Sequence, residues 1–388
     1  MADVIRLAGI DFIEQHCHWL SAQQLKVLWA IPHCRTAALG GHLDECPECG
    51  HRMITFNSCR NRHCPKCQTH AQRRWLHARR QQLLPTAYVH LVFTVPPELN
   101  ALARQNQKLF YDLLFRATAA TLQTIAADSQ HLGTRVGFFS VLHTWTQKLR
   151  YHPHIHCVAP AGGLSPDQRR WVHSHDRFFL SVKVLSRVFP GKLCALLKRA
   201  LARHRLNFHG RLSGLAQPKS FAAFLRTLFR HDWVVYCKAP FGGPEQVLNY
   251  LGAYTHRIAI SDHRLVAVDS KQVTFRWRDP AQGNRKRTLT LPLHEFLRRF
   301  LLHVLPYRFV RIRHYGFLSS RHCATLWPVC ARLLTCASTP LPTVAAAPFP
   351  KPSWPCPQCG SPMRLLLRLS ARQIQLRSPP QVQERKAG

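Results

Sequence analysis

The chain has 388 residues, enough for two or three domains, and 46% of them are apolar, a globular rather than a disordered composition. Its 54 Lys and Arg against 18 Asp and Glu leave a net charge of +36, which a folded protein tolerates best when a polyanion neutralises it; nucleic acid is the expected partner. No apolar run reaches the roughly 18 residues of a membrane span, and residues 1–40 lack the layout of a signal peptide, so a membrane partner is not expected and a cytoplasmic, DNA-associated protein is.

Residues 10–34 predict one or two short amphipathic helices. A cysteine-rich stretch then runs from Cys46 to Cys67 and into the basic segment Gln72 to Gln82, completing an N-terminal module over residues 1–84. Tyr88 to Val95 is β-rich and stops at Pro96-Pro97, and Glu98 to Ala127 has helical composition, so a second domain begins near residue 85 and extends to about 320. Gly137 to Trp145 and Pro153 to Ala159 read as the strands of an antiparallel hairpin around the polar link Thr146 to His152. Residues 183–231 are helical and basic, followed by a strand from Trp233 to Cys237. Gly243-Pro244-Glu245 then opens a helix, with Pro in the first turn and a carboxylate near the positive end of the dipole. That helix carries Tyr250 and Tyr254. Short β segments are expected at Ile258 to Ile260, Leu265 to Val268 and Val273 to Trp277. A basic link from Asn284 to Arg287 and a helix from His294 to His303 follow. Residues 321–388 form a tail that turns Pro-rich beyond about 340 and loses compact structure apart from whatever Cys356 and Cys359 anchor.

The fifteen cysteines bunch into C-x-x-C pairs in a chain with no export signal, a pattern of metal binding rather than disulfides. Cys46-Pro-Glu-Cys49 and Cys64-Pro-Lys-Cys67, with 14 residues between them, can close four thiolates around one Zn2+, with Cys59 and His63 competing for a place. Cys356-Pro-Gln-Cys359 offers half of a second site, to be completed by Cys330 and Cys336. Cys17, Cys34, Cys157, Cys194 and Cys237 stand singly and read as small buried apolar residues. The basic residues Arg60, Arg62, Lys66, Arg73, Arg74, Arg79 and Arg80 beside the cysteine module suit phosphate contacts that position nucleic acid without reading its sequence.

In His152-Pro-His154-Ile-His156 the second and third histidines lie two apart on a strand, so both imidazoles share one face about 6 to 7 Å apart at the backbone while Ile155 points into the core. If His143 lies opposite His154 in the hairpin, it joins them as a third metal ligand. Taken alone, an H-x-H pair also fits an exposed strand. Tyr250 and Tyr254, four apart, fall on one helical face within reach of one scissile phosphate or two neighbouring ones; a phenolate attacking phosphorus would store the cut bond as a phosphotyrosine ester. They also fit the apolar stripe of a packed helix, with Val247 and Leu251. Together the motifs describe one mechanism, with Mg2+ or Mn2+ at the histidines polarising the phosphoryl group.

The segments Leu142-His-Thr-Trp145, His152-Pro-His-Ile-His-Cys157, Tyr250-Leu-Gly-Ala-Tyr254-Thr-His-Arg-Ile-Ala-Ile-Ser261 and Arg62-His-Cys-Pro-Lys-Cys-Gln68 resemble, in order, the two-tyrosine rolling-circle insertion-sequence transposases of the HUH nuclease class. Glu295-Phe-Leu-Arg-Arg-Phe300 and Phe309-Val-Arg-Ile-Arg313 extend the resemblance over roughly residues 40 to 320. It implies an α+β fold with a ferredoxin-like antiparallel sheet, the histidines on a central strand and the tyrosines on an adjacent helix. It implies a transposase that nicks one strand at an element end, links to the 5′ phosphate through tyrosine and passes the strand to a target. By position His154 and His156 take the metal-ligand roles and Tyr250 and Tyr254 the nucleophile roles; a zinc-binding N-terminal domain helps recognise DNA.

Three other functions fit parts of the sequence. A carboxylate-triad nuclease would need acids such as Asp262 and Asp269 to converge. A zinc-dependent DNA-binding regulator would use the histidines and tyrosines structurally. A replication initiator or relaxase would share the tyrosine chemistry. No phosphate-loop motif is present, so unwinding falls to a host helicase or the replication machinery, or the DNA is already single-stranded.

Overall fold

The computed structural model describes residues 1–80, 83–241, 246, 252, 258–279, 282–335 and 354–377. The described strands, in chain order, are β1 (Gly41–Glu45), β2 (Arg52–Phe56), β3 (Tyr88–Thr94), β4 (Phe138–Trp145) and β5 (Tyr151–Pro160). They continue with β6 (Gly162–Leu164), β7 (Trp171–His173), β8 (Val235–Phe241) and β9 (Leu265–Val268). The last are β10 (Gln272–Asp279), β11 (Arg285–Pro292), β12 (Ile312–Tyr315) and β13 (Arg364–Leu369). Every ladder between them is antiparallel, so the molecule mixes helices with antiparallel sheet, the α+β class expected.

The chain forms two compact units. One comprises Met1–Ala71, Ile260–Val304 and Ala347–Gly388; the other comprises Gln72–Ala259 and Leu305–Ala346. This division departs from the expected boundaries at 84 and 320, because two later segments return to the N-terminal unit. Helix Leu293–Leu301 packs on helix Ala2–His16, where His294 pairs with Asp11 at 2.9 Å and sets its ring edge against Phe12. Strand β13 adds to the edge of β1, giving the sheet order β13-β1-β2, so the part of the tail around Cys356 and Cys359, Trp354–Arg377, is folded.

The N-terminal unit also holds the sheet β11-β10-β9. Along β10, Val273, Phe275 and Trp277 are buried while the alternate residues face water, the period-2 pattern of a half-buried strand. The basic segment Asn284 to Arg287 is not a link: Arg285–Arg287 begin β11, paired with Asp279, Arg278 and Trp277. β11 is an edge strand, and its exposed charges suit an edge that must not pair with another chain. Ile258–Ile260 is buried but not a strand.

The other unit is built on a five-stranded sheet, order β12-β4-β5-β3-β8. β4 and β5 are covered on both faces. One face carries Phe93, Ile155 and Cys157; Phe93 meets Phe189 of helix Val182–Ala202, which packs along helix Gln107–Ala127. Each fully buried side chain of this size, Phe110, Phe115 and Phe189 among them, contributes about 1.5–3 kcal/mol. The opposite face carries Tyr88, His90, Phe139, Val141, His143, His154, His156 and Val158. Trp75, Leu76 and Leu83 pack on its apolar members.

No described helix is long and apolar enough to cross a membrane.

Candidate functional site

The hairpin register is the one the sequence argument required: His143 stands opposite His154, and Val141 opposite His156. Opposed residues share a face, so the three imidazoles converge, with ring centroids 4.4 Å (143 to 156), 4.9 Å (154 to 156) and 5.6 Å (143 to 154) apart. Their ligand nitrogens lie within 4.8 Å of one another. Ile155, between the two histidines of β5, is fully buried on the other face and pins the register. Pro153 falls where the β4–β5 ladder is irregular, between the pairs His143–His154 and Trp145–Tyr151. A residue without an N–H is tolerated inside a sheet at such an interruption.

Hydrogen bonds orient the rings. His154 Nδ1 lies 2.7 Å from the carbonyl of His152, which can only accept, so Nδ1 carries the proton and Nε2 keeps the lone pair. His156 Nδ1 lies 2.8 Å from Nε2 of His90, and the two rings stack nearly parallel. His90 is buried on β3, and burial, reinforced by the Lys238 charge, lowers its pKa to about 4 and keeps it neutral at physiological pH. Sequence reasoning missed His90. Its signal was present but weak: on β3 it is two residues from Val92, which opposes His156, and therefore shares the histidine face.

Three imidazoles with converging nitrogens, those of His154 and His156 held by outer hydrogen bonds, fit a divalent cation. The carboxylates of the rival reading are engaged elsewhere. Asp262 pairs with the Met1 amino group at 3.1 Å, and Asp269 accepts the backbone N–H groups of Lys271 and Gln272.

The expected nucleophiles Tyr250 and Tyr254 lie outside the described residues. Gly252, midway between them, is described and buried; its carbonyl accepts a hydrogen bond from Gln72 Nε2. A β-carbon at Gly252 would stand 3.1 Å from Leu76, a residue packed on the histidine face of the sheet.

The cysteines separate into two groups, which corrects the expected single set of Cys46, Cys49, Cys64 and Cys67. Cys64 and Cys67 join Cys34 and Cys59, while Cys46 and Cys49 join Cys356 and Cys359. In the first group the Cys67 sulfur is 3.6 Å from Cys34 and 3.6 Å from Cys59. Tetrahedral zinc with Zn–S bonds of about 2.3 Å requires S···S edges of roughly 3.8 Å, so the group fits the ion. Hydrogen bonds from the Cys59 and Cys64 thiols hold Cys67 far down, at about 2, and the Cys64 contact pushes Cys59 up. Cys34, expected to be an apolar filler, is a member because the turn after helix Ala22–Ala30 brings it beside the Cys59 backbone. His63 is buried but outside the group.

Cys330, expected to complete a site with Cys356, is buried among Leu84, Leu164 and Phe317; Cys336 lies outside the described residues. Cys157 and Cys194 are buried as expected, with burial pushing Cys157 up to about 12, whereas Cys17 is exposed and Cys237 half-buried. Of the basic residues, Arg60, Lys66, Arg73, Arg74 and Arg80 are exposed. Arg62 is half-buried, and Arg79 turns inward to within 3.4 Å of His314 Nε2.

Residues 137–325 match the family model described as "Putative transposase", and residues 4–95 match the one described as "Transposase zinc-binding domain". The chain is 51% identical over 348 residues to "Putative transposase y4qJ" of Sinorhizobium fredii (strain NBRC 101917 / NGR234), covering 90% of this chain and 87% of that protein. It is 27% identical over 365 residues to "Transposase for insertion sequence element IS801" of Pseudomonas savastanoi pv. phaseolicola, covering 88% of this chain and 83% of that protein. No solved structure matches.

Proposed function

The chain belongs to the insertion-sequence transposases of the IS91/IS801 type, and on that footing we propose that it nicks and rejoins single-stranded DNA at element ends through a 5′-phosphotyrosine intermediate. The observation that carries the reading is the convergence of His143, His154 and His156 on one face of the central hairpin. The antiparallel sheet, with these histidines on adjacent inner strands and helices on its other face, supports a ferredoxin-like HUH nuclease domain.

His143, His154 and His156 would hold the divalent ion, Mg2+ or Mn2+. When bound, that ion polarises phosphoryl oxygens and offsets charge in the transition state. The chain's own residues do the rest. The His152 carbonyl turns Nε2 of His154 toward the site, and His90 fixes the ring of His156. Tyr250 or Tyr254 attacks through its phenolate oxygen. A P–O bond forms to tyrosine, the bond to the 3′ oxygen breaks, and that oxygen leaves as a hydroxyl after taking up a proton. The phosphotyrosine ester conserves the bond energy, so a hydroxyl end can attack it and restore a phosphodiester without ATP. Two tyrosines four apart allow two such transfers in sequence. The hydrogen bond from Gln72 to Gly252 favours this reading, as does the closeness of Leu76, on the face that bears the histidines, to where a β-carbon at Gly252 would stand.

Zinc in the N-terminal module would be structural and would present Arg60, Arg62 and Lys66, with Arg73 and Arg74 beyond them, to DNA phosphates. With no nucleotide-binding loop in the sequence, strand separation is assigned to a host helicase or the replication machinery.

The test incubates purified protein with Mg2+ or Mn2+ and a labelled single-stranded oligonucleotide carrying an element end. A protein–DNA adduct resistant to denaturation is expected, and Tyr250→Phe with Tyr254→Phe abolishes it. His154→Ala with His156→Ala removes cleavage while the zinc content of the N-terminal cysteines persists. An adduct that survives the double tyrosine change would refute the assignment.

A further inference from the structure

We propose that Cys46, Cys49, Cys356 and Cys359 form a second structural zinc site, separate from Cys34, Cys59, Cys64 and Cys67, that fastens the segment Trp354–Arg377 to the N-terminal sheet. The matched zinc-binding domain ends at residue 95, so it includes Cys46 and Cys49 but neither residue of the distant pair. The inference does not depend on the nuclease reading.

Three observations carry it. The first is the spacing of the sulfurs. Cys46 and Cys359 are 3.4 Å apart, Cys49 and Cys356 are 3.6 Å apart, and all four fall within 4.8 Å of one another. These separations are close to the roughly 3.8 Å edge of a zinc tetrathiolate. They are well beyond the 2.03–2.05 Å of a disulfide bond, which would in any case split the four into two pairs.

The second is that the two C-P-x-C-G loops are built alike. In one, the Cys46 N–H donates to the His51 carbonyl at 2.8 Å and the Gly50 N–H to the Cys46 carbonyl at 3.0 Å. In the other, the Cys356 N–H donates to the Ser361 carbonyl at 2.8 Å and the Gly360 N–H to the Cys356 carbonyl at 2.9 Å. Gly50 and Gly360 both sit in the left-handed region, at φ 70° and 78°, where glycine carries no steric penalty. Two knuckles with the same fold facing one another supply two thiolates each, the way a tetrahedral site is assembled from separate turns.

The third is what the segment buries. Along β13 only Leu369 is buried, and Leu365, Leu366 and Leu367 stay 40–47% exposed; helix Ala371–Arg377 buries Ile374. Two apolar anchors and one strand ladder are a small hold on a segment whose ligands lie 307 and 313 positions from their partners. A metal cross-link makes up the difference, because its binding energy becomes docking energy. The chemistry balances without an oxidant. Four S–H groups lose protons to solvent as four S–Zn bonds form, and zinc keeps its charge state.

The test measures zinc per full-length chain by mass spectrometry of the metal. Cys356→Ser with Cys359→Ser is expected to lose one zinc. Cys46→Ser with Cys49→Ser should lose the same one, and all four changes together no more than one, whereas Cys34→Ser with Cys59→Ser loses a different one. Unchanged zinc in the Cys356/Cys359 variant, or losses that add between the two pairs, would overturn the proposal. A second measurement needs no variant. Alkylation of the wild-type protein, mapped by peptide, should show Cys46, Cys49, Cys356 and Cys359 shielded together and exposed together on chelation. Full reaction of Cys356 and Cys359 before chelation would contradict the site. Neither readout involves DNA cleavage, so failure here is distinguishable from failure of the nuclease assignment.

Discussion

At the scale of single residues, a two-residue period is what makes the histidine site readable. His154 and His156 share a face because strands alternate, and His143 joins them because the hairpin has the supposed register, with His143 opposite His154. His90 had no such local mark. It comes from a strand 66 positions before His156, and nothing near it in the sequence announces that β3 pairs with β5. As a positioning residue it should act through His156. His90→Leu is expected to raise the metal concentration needed for half-maximal cleavage by about 10–100-fold, the usual effect of losing an outer hydrogen bond, and His90→Gln to recover part of it. An unchanged metal requirement in the Leu variant would assign His90 to packing alone. The same limit explains Cys34, which reads as a solitary apolar residue until a turn sets it against Cys59.

At the scale of elements, helices and strands were legible where one face is apolar and obscured where charge covers them. Val273, Phe275 and Trp277 announced β10; Arg285-Lys286-Arg287 concealed the start of β11, because an edge strand with one solvated face does not need apolar residues there. Helix Leu293–Leu301 carries its own electrostatic support. Glu295 accepts hydrogen bonds from Arg298 Nε at 2.6 Å and Arg299 Nε at 2.6 Å, and these guanidinium groups, Arg298 first, hold its carboxyl at about 2. A carboxylate whose pKa is depressed on folding contributes stability that is complete above the ordinary range near 4.5 and is lost as pH falls through about 2. Denaturation measured between pH 5 and pH 2.5 should therefore show a shallower pH dependence for Glu295→Gln than for the wild type. The difference is small, since the pair is partly exposed and solvent screens it. Equal slopes would mean that these ion pairs add nothing to folding.

At the scale of the whole molecule, composition indicated a polyanion partner before any motif did, but it could not show how the chain divides. The two compact units are each assembled from separated stretches, and only tertiary pairing, such as β13 on β1, reveals which stretch belongs to which. The net charge of +36 implies DNA binding that weakens steeply with salt. The logarithm of single-strand affinity should fall linearly with the logarithm of salt concentration. Arg73→Ala with Arg74→Ala, both exposed, should reduce the magnitude of that slope by roughly 1.4, at about 0.7 for each phosphate no longer neutralised. A slope unchanged by the pair would place the phosphate-binding residues elsewhere on the surface.

The central claim is that a tyrosine of this chain becomes joined to DNA. The most direct measurement digests the denaturation-resistant adduct with protease and nuclease and locates the attached nucleotide by peptide mass spectrometry. The predicted result is a 5′-phosphate linked to Tyr250 or Tyr254, formed only when His154 and His156 are intact. A nucleotide on any other residue, or strand cleavage with no covalent adduct at all, would contradict the account.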